Sequence, residues 1–381
     1  QMLLMGNSFE DYIKQTITDK FGDISQEIIE KSYLLQYIIK KTKPADKNES
    51  KARKGLGTLY AIYVLIQDYV ERGYFDGDNK GKYNKYEGAR YSVLIEKAKK
   101  KEFGQKLQNH YFNNRTNEEF FGLFPLQREK DVKPIVHMKK RYWINEQYLI
   151  IPTSKKEVNI SCQLLDIIDH YTEVIKEKLD KFISDCTALQ NIETSDKNKV
   201  IDFIESLIAP DVDARLFEIV SYSILKYYYY DRKIYWGFSR EELNEDHLRL
   251  YKTGRTNAND GGIDFVMQPL GTFFQVTETM DFKKYFLDID KIERYPITFV
   301  IKSSESEDEI REILRKDAMN TYGVDAVVDE YMKCIEKIIN IPELKSFLIE
   351  LNTNGKVPEI LNEMIIQSKV EFNYEDLSEN D

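Results

Sequence analysis

The sequence predicts an α/β fold: a mixed sheet flanked by helices, preceded by a largely helical region and followed by an acidic helical one. Three observations lead there. At 381 residues the chain exceeds a typical single domain. Up to about residue 190 its apolar residues recur mostly at helical spacing, whereas beyond the polar stretch "QNIETSDKN" (190–198) short β-branched and aromatic runs alternate with helical ones. Within that second part, "GGIDFVMQPLGTFFQVT" (261–277) reads as two strands around a turn, with Pro269 and Gly271 in turn-compatible places. The expected divisions are 1–192, 193–303 and 304–381.

Residues 8–42 carry Phe9, Tyr12, Ile13, Ile17 and Phe21, then Ile28, Ile29, Tyr33, Leu34, Tyr37 and Ile38, which predicts two helices. The polar segment 41–55 is a loop, 56–75 a buried helix and 76–92 a turn-rich loop. Residues 93–110 are helical, 141–152 a strand or short hairpin, and 158–190 a long amphipathic helix. Helices follow over 198–209 and 213–229, then strands over 233–238, 263–267 and 272–279, a helix over 281–294 and an apolar strand over 296–303. This middle part reads α-β-β-β-α-β. Residues 306–352 are helical, and 353–381 are acidic and partly frayed.

Composition narrows the function classes. Hydrophobic residues make up 42%, enough for a packed core, and no run of 18 apolar residues exists to span a membrane. The apolar patch in "QMLLMGNSFEDY" is too short and uncharged for a signal peptide. Cys162, Cys186 and Cys334 are scattered, and His110, His137, His170 and His247 show no paired spacing. They read as reduced thiols of a cytoplasmic protein without a zinc site. The net charge is −10, yet residues 301–381 hold 9 Lys+Arg against 19 Asp+Glu and so carry all of it. Residues 51–110 hold 13 Lys+Arg against 7 Asp+Glu, a local basic excess able to meet phosphates.

In a strand, alternate residues share a face. Phe273, Gln275 and Thr277 face one way; Phe274, Val276 and Glu278 face the other. A hairpin brings Asp264 towards Gln275. A carboxylate and an amide oxygen, with the backbone carbonyl of Val276 and water, form a set that can hold a hard cation such as Mg²⁺. Such a cation activates water and stabilises charge on a phosphate.

The "GGID…FFQVT" pattern resembles the core of the PD-(D/E)xK nuclease superfamily, especially its restriction endonucleases with a GGID…QxK variant. The resemblance covers roughly 200–303, where "RLFEIVSYSIL" (215–225) and "FKKYFLDIDKIERYPITFVIKS" (282–303) match the flanking helices and last strand. It implies a metal role for Asp264, a ligand role for Gln275 and a metal-supporting role for Glu218. The family's lysine falls at Thr277. Lys283 or Lys284, on the following helix, or Arg255, in the preceding loop, are candidates to replace it.

A nuclease core needs a reader. Asn and Gln pair bidentately with adenine and Arg with guanine, while lysines anchor phosphates. The segment 104–120 concentrates such groups: Lys106, Gln108, Asn109, Asn113, Asn114, Arg115 and Asn117. Lys51, Arg53, Lys54 and Arg90 add charge, and Arg255 and Asn257 flank the core. The expected function is a type II restriction endonuclease hydrolysing double-stranded DNA with Mg²⁺, as a homodimer matched to a palindromic site. Two alternatives stay open: a modification-dependent or repair nuclease of the same fold, and a non-catalytic DNA-binding or defence protein with a degenerate core.

Overall fold

The structure is a computed structural model that describes residues 8–46, 55–104, 107–190, 197–253 and 263–372. It comprises two compact units, residues 1–180 and 181–381. The boundary falls inside a helix, Ser161–Gln190, rather than in the polar stretch after it. Among the described residues no helix is long and apolar enough to cross a membrane.

In the N-terminal unit, α1 (Phe9–Phe21) starts at Ser8, whose side chain forms a capping box with Asp11, and buries Phe9, Ile13 and Ile17. Where two helices were expected over 8–42, there are three, because Ser32 re-caps the chain by accepting the Leu35 amide. They are α1, α2 (Ser25–Lys31) and α3 (Tyr33–Thr42). Next comes α4 (Leu56–Glu71), buried at every position from Leu56 to Ile66, as its all-round apolar sequence requires. The helix expected over 93–110 ends early: α5 spans Tyr91–Lys99, and Tyr111–Arg115 is a π-helical turn leading into α6 (Thr116–Leu123). A small antiparallel sheet has the order β1 (Ala89–Arg90), β3 (Arg141–Ile144), β2 (Ile135–Met138).

The C-terminal unit is organised around a five-stranded mixed sheet. Helix α7 (Ala214–Tyr230) begins at Asp213, which accepts the Arg215 and Leu216 amides. A meander follows: β4 (Arg249–Lys252), β5 (Phe265–Gln268) and β6 (Thr272–Thr277), all antiparallel. Gly271, at φ 69°, closes the β5–β6 turn by donating to the Met267 carbonyl at 2.8 Å. Then α8 (Phe282–Lys291) leads to β7 (Ile297–Ile301), which is parallel to β6 and buried at every position. A central parallel strand covered on both faces requires such an unbroken apolar run.

Two expectations are corrected. The strand expected at 233–238 is real but does not enter the sheet: Lys233–Trp236 pairs with Asn244–His247 in a separate hairpin. The first sheet strand is instead Arg249–Lys252, a short, charged edge strand whose buried apolar side chain is Leu250. The region 306–352 is also not all helix. Between α9 (Glu307–Tyr322), α10 (Asp325–Cys334) and α11 (Ile341–Thr353), residues Ile335–Ile339 form β8, a fifth strand parallel to β7. A five-residue segment between helices, here IEKII, is too short for its periodicity to separate strand from helix. The sheet order is thus β8-β7-β6-β5-β4, and residues beyond 303 complete it.

Phe299, at the centre of β7, is fully buried with Tyr285 of α8 at 4.4 Å between ring centroids. Tyr235, on the separate hairpin, is 59% exposed. Phe299→Ala is expected to cost about 3–5 kcal/mol in urea unfolding, and Tyr235→Ala within about 0.5 kcal/mol of nothing. Equal losses would mean the hairpin belongs to the core.

Candidate active site

Asp264 immediately precedes β5 and is pinned from both sides. Its amide donates to the Phe274 carbonyl at 2.9 Å, and its carbonyl accepts the Thr253 amide at 3.0 Å. Its carboxylate Oδ2 accepts the Val276 amide at 2.7 Å. The side chain therefore stands where the ladder would otherwise need a backbone acceptor, which orients the carboxylate at the end of the β5–β6 pair. The Gly-Gly turn before it, with Arg255 and Asn257, lies outside the described residues.

The sheet then divides the other site residues. Phe265 and Phe274 pair across β5 and β6, and they meet Tyr222 and Tyr229 of α7. Lys252 pairs with Phe265, so it shares that face. There its Nζ meets Glu218 Oε1 of α7 at 2.9 Å, with both side chains over 90% buried. Gln275 pairs with Phe299, which packs on Tyr285 of α8, so Gln275 belongs to the opposite face. Thr277 alternates with it, is buried, and its hydroxyl accepts the Thr279 amide at 3.3 Å. Among the described residues, the buried Gln275 amide oxygen and the Tyr285 hydroxyl have no hydrogen-bond partner. Glu218 and Gln275, expected in one ligand shell, are thus on different sides of the sheet.

Three charged groups on the α7 face were not singled out from the sequence: Lys252, Glu278 and Lys302. Lys302 follows β7, is 9% exposed, and donates from Nζ to the Glu278 carboxylate and the Val212 carbonyl. The alternation Phe274–Val276–Glu278 gives the face of Glu278 but no role for it, and nothing local marks a lysine 26 residues before it or another 24 residues after it. Of the proposed substitutes for the motif lysine, Lys283 is exposed on α8. Lys284 is held by its own helix, with Nζ 3.0 and 2.9 Å from the two oxygens of the fully buried Asp288.

In the N-terminal unit, Arg90, Gln108, Asn109 and Asn114 are exposed, whereas Lys51, Arg53, Lys54 and Lys106 lie outside the described residues. The Tyr142 hydroxyl donates to the Asn113 side-chain oxygen at 2.7 Å and to that of Asn109 at 3.3 Å. Asn117 departs from its expected reading role. It is buried, and its amide donates to the Ile135 carbonyl at 2.8 Å and accepts the Ile135 amide at 3.0 Å, tying α6 to β2. Arg115 is 62% exposed and donates from Nε to Glu119 at 2.6 Å. A cleft of about 450 Å³ beside Lys31, Tyr33, Tyr148 and Pro152 contains none of the expected residues.

Glu119 gathers four donors: Lys41 at 2.5 Å, Arg115, the buried Tyr37 hydroxyl at 3.2 Å and the Thr58 hydroxyl at 3.3 Å. Burial pushes its carboxyl up, but Lys41 and Arg115 outweigh this and hold it below its ordinary value. A scan of protein-family models, a search of curated proteins and a search of solved structures found no match to this chain.

Because the folded-state value of Glu119 is depressed, its stabilisation is present above the ordinary carboxyl value of 4.5 and is lost as pH falls through the folded value. Glu119→Gln is expected to cost about 1–3 kcal/mol at pH 7 by urea unfolding, and the gap from wild type should shrink at pH 3. A gap that persists unchanged at pH 3 would contradict this account.

Proposed function

We propose that the chain is a Mg²⁺-dependent endodeoxyribonuclease of the restriction type, acting on double-stranded DNA through the Asp264 carboxylate. The observation that carries the reading is the Asp264 carboxylate held at the mouth of the β5–β6 pair by the Val276 amide at 2.7 Å. Its setting supports it: a helix, a three-stranded antiparallel meander, a helix and a parallel strand, with the aspartate at the start of the second strand. That order agrees with the nuclease superfamily that the GGID…FFQVT motif resembles.

The donor chemistry of the residues that the resemblance names fits a hard cation. Asp264 and Glu218 offer carboxylate oxygens, the ligands Mg²⁺ takes. Gln275 lies on the face opposite Glu218, next to Val276, whose amide binds the Asp264 carboxylate. When bound, Mg²⁺ would lower the pKa of a water and neutralise charge on the phosphodiester. The chain's own residues would orient: Val276 aims the Asp264 carboxylate, and the α7 face keeps Glu218 and Lys252 out of water. In the N-terminal unit, exposed Arg90, Gln108, Asn109, Asn114 and Arg115 offer base-edge and phosphate donors. A homodimer would match a two-fold symmetric site. A second reading, binding without cleavage, is favoured by threonine at 277, where the resembled motif has lysine.

Asp264→Ala is expected to lower Mg²⁺-dependent plasmid cleavage by at least about 10²-fold, while duplex binding in Ca²⁺, read by fluorescence anisotropy, stays within about twofold, because the exposed donors of the N-terminal unit are untouched. Cleavage at the wild-type rate would remove Asp264 from the site. Wild-type binding without cleavage would favour the second reading.

A further inference from the structure

We propose that the end of the small N-terminal sheet where Lys139, Lys140, Arg141 and Arg90 meet is a docking surface for the phosphate backbone of double-stranded DNA. The inference rests on the nuclease reading above for the identity of its ligand, and adds where the N-terminal unit grips it. Strands β2 and β3 pair Ile135 with Ile144 and Met138 with Arg141, so Lys139 and Lys140 alone form the turn between them. Both residues have positive φ, 50° and 60°. A two-residue turn of this kind favours Asn-Gly or Gly-Gly, because a Cβ in the left-handed region crowds the following carbonyl. Two lysines in succession are therefore an unfavourable choice for the fold, and both are exposed.

An electrostatic cost sits beside the backbone one. Arg90 of β1 pairs with Arg141 of β3, directly across two antiparallel strands. Like charges so placed destabilise a sheet. The Arg141 guanidinium donates to the Gly88 carbonyl at 3.1 Å, a neutral acceptor that leaves its charge uncancelled. Among the described residues, none of the four cations makes an ion pair, although the chain holds 65 Asp+Glu against 55 Lys+Arg. Register partners share a face, so Arg90, Arg141 and Met138 stand in one row across the sheet, with Met138 58% exposed. The other face holds the buried Ala89 and Tyr142. Backbone strain and uncompensated charge kept at one place mark a function rather than a need of the fold. A polyanion relieves the charge. A duplex offers one phosphate charge per about 1.7 Å of its axis, and its major groove, about 12 Å wide, admits a two-stranded ribbon.

The test measures binding of the full chain to a random-sequence duplex in EDTA, by fluorescence anisotropy at several salt concentrations, beside thermal melting. The double variant Lys139→Asn, Lys140→Gly installs the residues that the turn prefers. It is expected to weaken duplex binding at least about tenfold and to lower the salt slope by about 2, since each lost phosphate contact removes about 0.9, while the melting temperature does not fall. Arg90→Gln removes the like-charge pair; it is expected to weaken binding about threefold without lowering the melting temperature, and it keeps the proposal testable should the turn variant not fold. Lys14→Gln, which removes an ordinary ion pair with Glu10 (2.8 Å) in the same unit, should leave duplex affinity unchanged. If wild type binds duplex but the turn and Arg90 variants bind it equally well with an unchanged slope, the docking role is overturned, and plasmid cleavage in Mg²⁺ decides the nuclease reading separately. If those variants lose binding as expected but wild type cleaves nothing, the docking surface stands and the nuclease reading falls. Binding of polyglutamate in place of duplex would assign the surface to an acidic protein and overturn the proposal.

Discussion

The hydrogen bond from the Val276 amide to the Asp264 carboxylate is the constraint on which the proposed site of the C-terminal unit depends. A side chain here does the work of a backbone acceptor at the end of a ladder. It does so only because the Phe274 carbonyl and the Thr253 amide hold the Asp264 backbone between β6 and the end of β4. The charge is thereby held beside the Val276 amide, at the end of the β5–β6 pair. What surrounds it follows from strand parity: Lys252, Phe265 and Phe274 turn to α7, while Gln275, Thr277 and Phe299 turn to α8.

That parity separates what could be read in the sequence from what could not. The alternation in 272–278 correctly divided Phe273, Gln275 and Thr277 from Phe274, Val276 and Glu278, because a period of two is a local property. Which helix covers which face is not local. Glu218 was grouped with Gln275 although the sheet lies between them; the deciding contacts, Tyr222 on Phe265 and Tyr285 on Phe299, join elements far apart in sequence. Lys252 escaped notice for a related reason. Arg249–Lys252 is a short edge strand with one buried apolar side chain, and Lys233–Trp236, earlier in the chain, has the stronger strand composition. Composition reports that a segment extends, not which sheet it joins.

The N-terminal unit shows the same limit for polar groups. The amide-rich segment 104–120 is expected to present its polar groups, and Gln108, Asn109 and Asn114 are exposed. Asn117 is not: its two hydrogen bonds to Ile135 satisfy a strand backbone that would otherwise be buried unpaired. Glu119 likewise collects Lys41, Arg115 and the Tyr37 hydroxyl into one partly buried cluster. An asparagine that reads a base and one that completes a fold have the same sequence signature, and only burial distinguishes them. The strongly apolar helix Leu56–Glu71 was legible because nothing but a core can accept it.

The central claim is that the Asp264 site hydrolyses DNA with the help of a divalent cation. The most direct measurement incubates the wild-type chain with supercoiled plasmid and with bacterial genomic DNA, with Mg²⁺ or with EDTA, and sequences the ends produced. The account predicts cleavage that requires Mg²⁺, stops in EDTA and leaves ends within a shared short sequence bearing 5′-phosphates. Intact DNA with Mg²⁺ and with Mn²⁺, or cleavage that proceeds equally in EDTA, would contradict it.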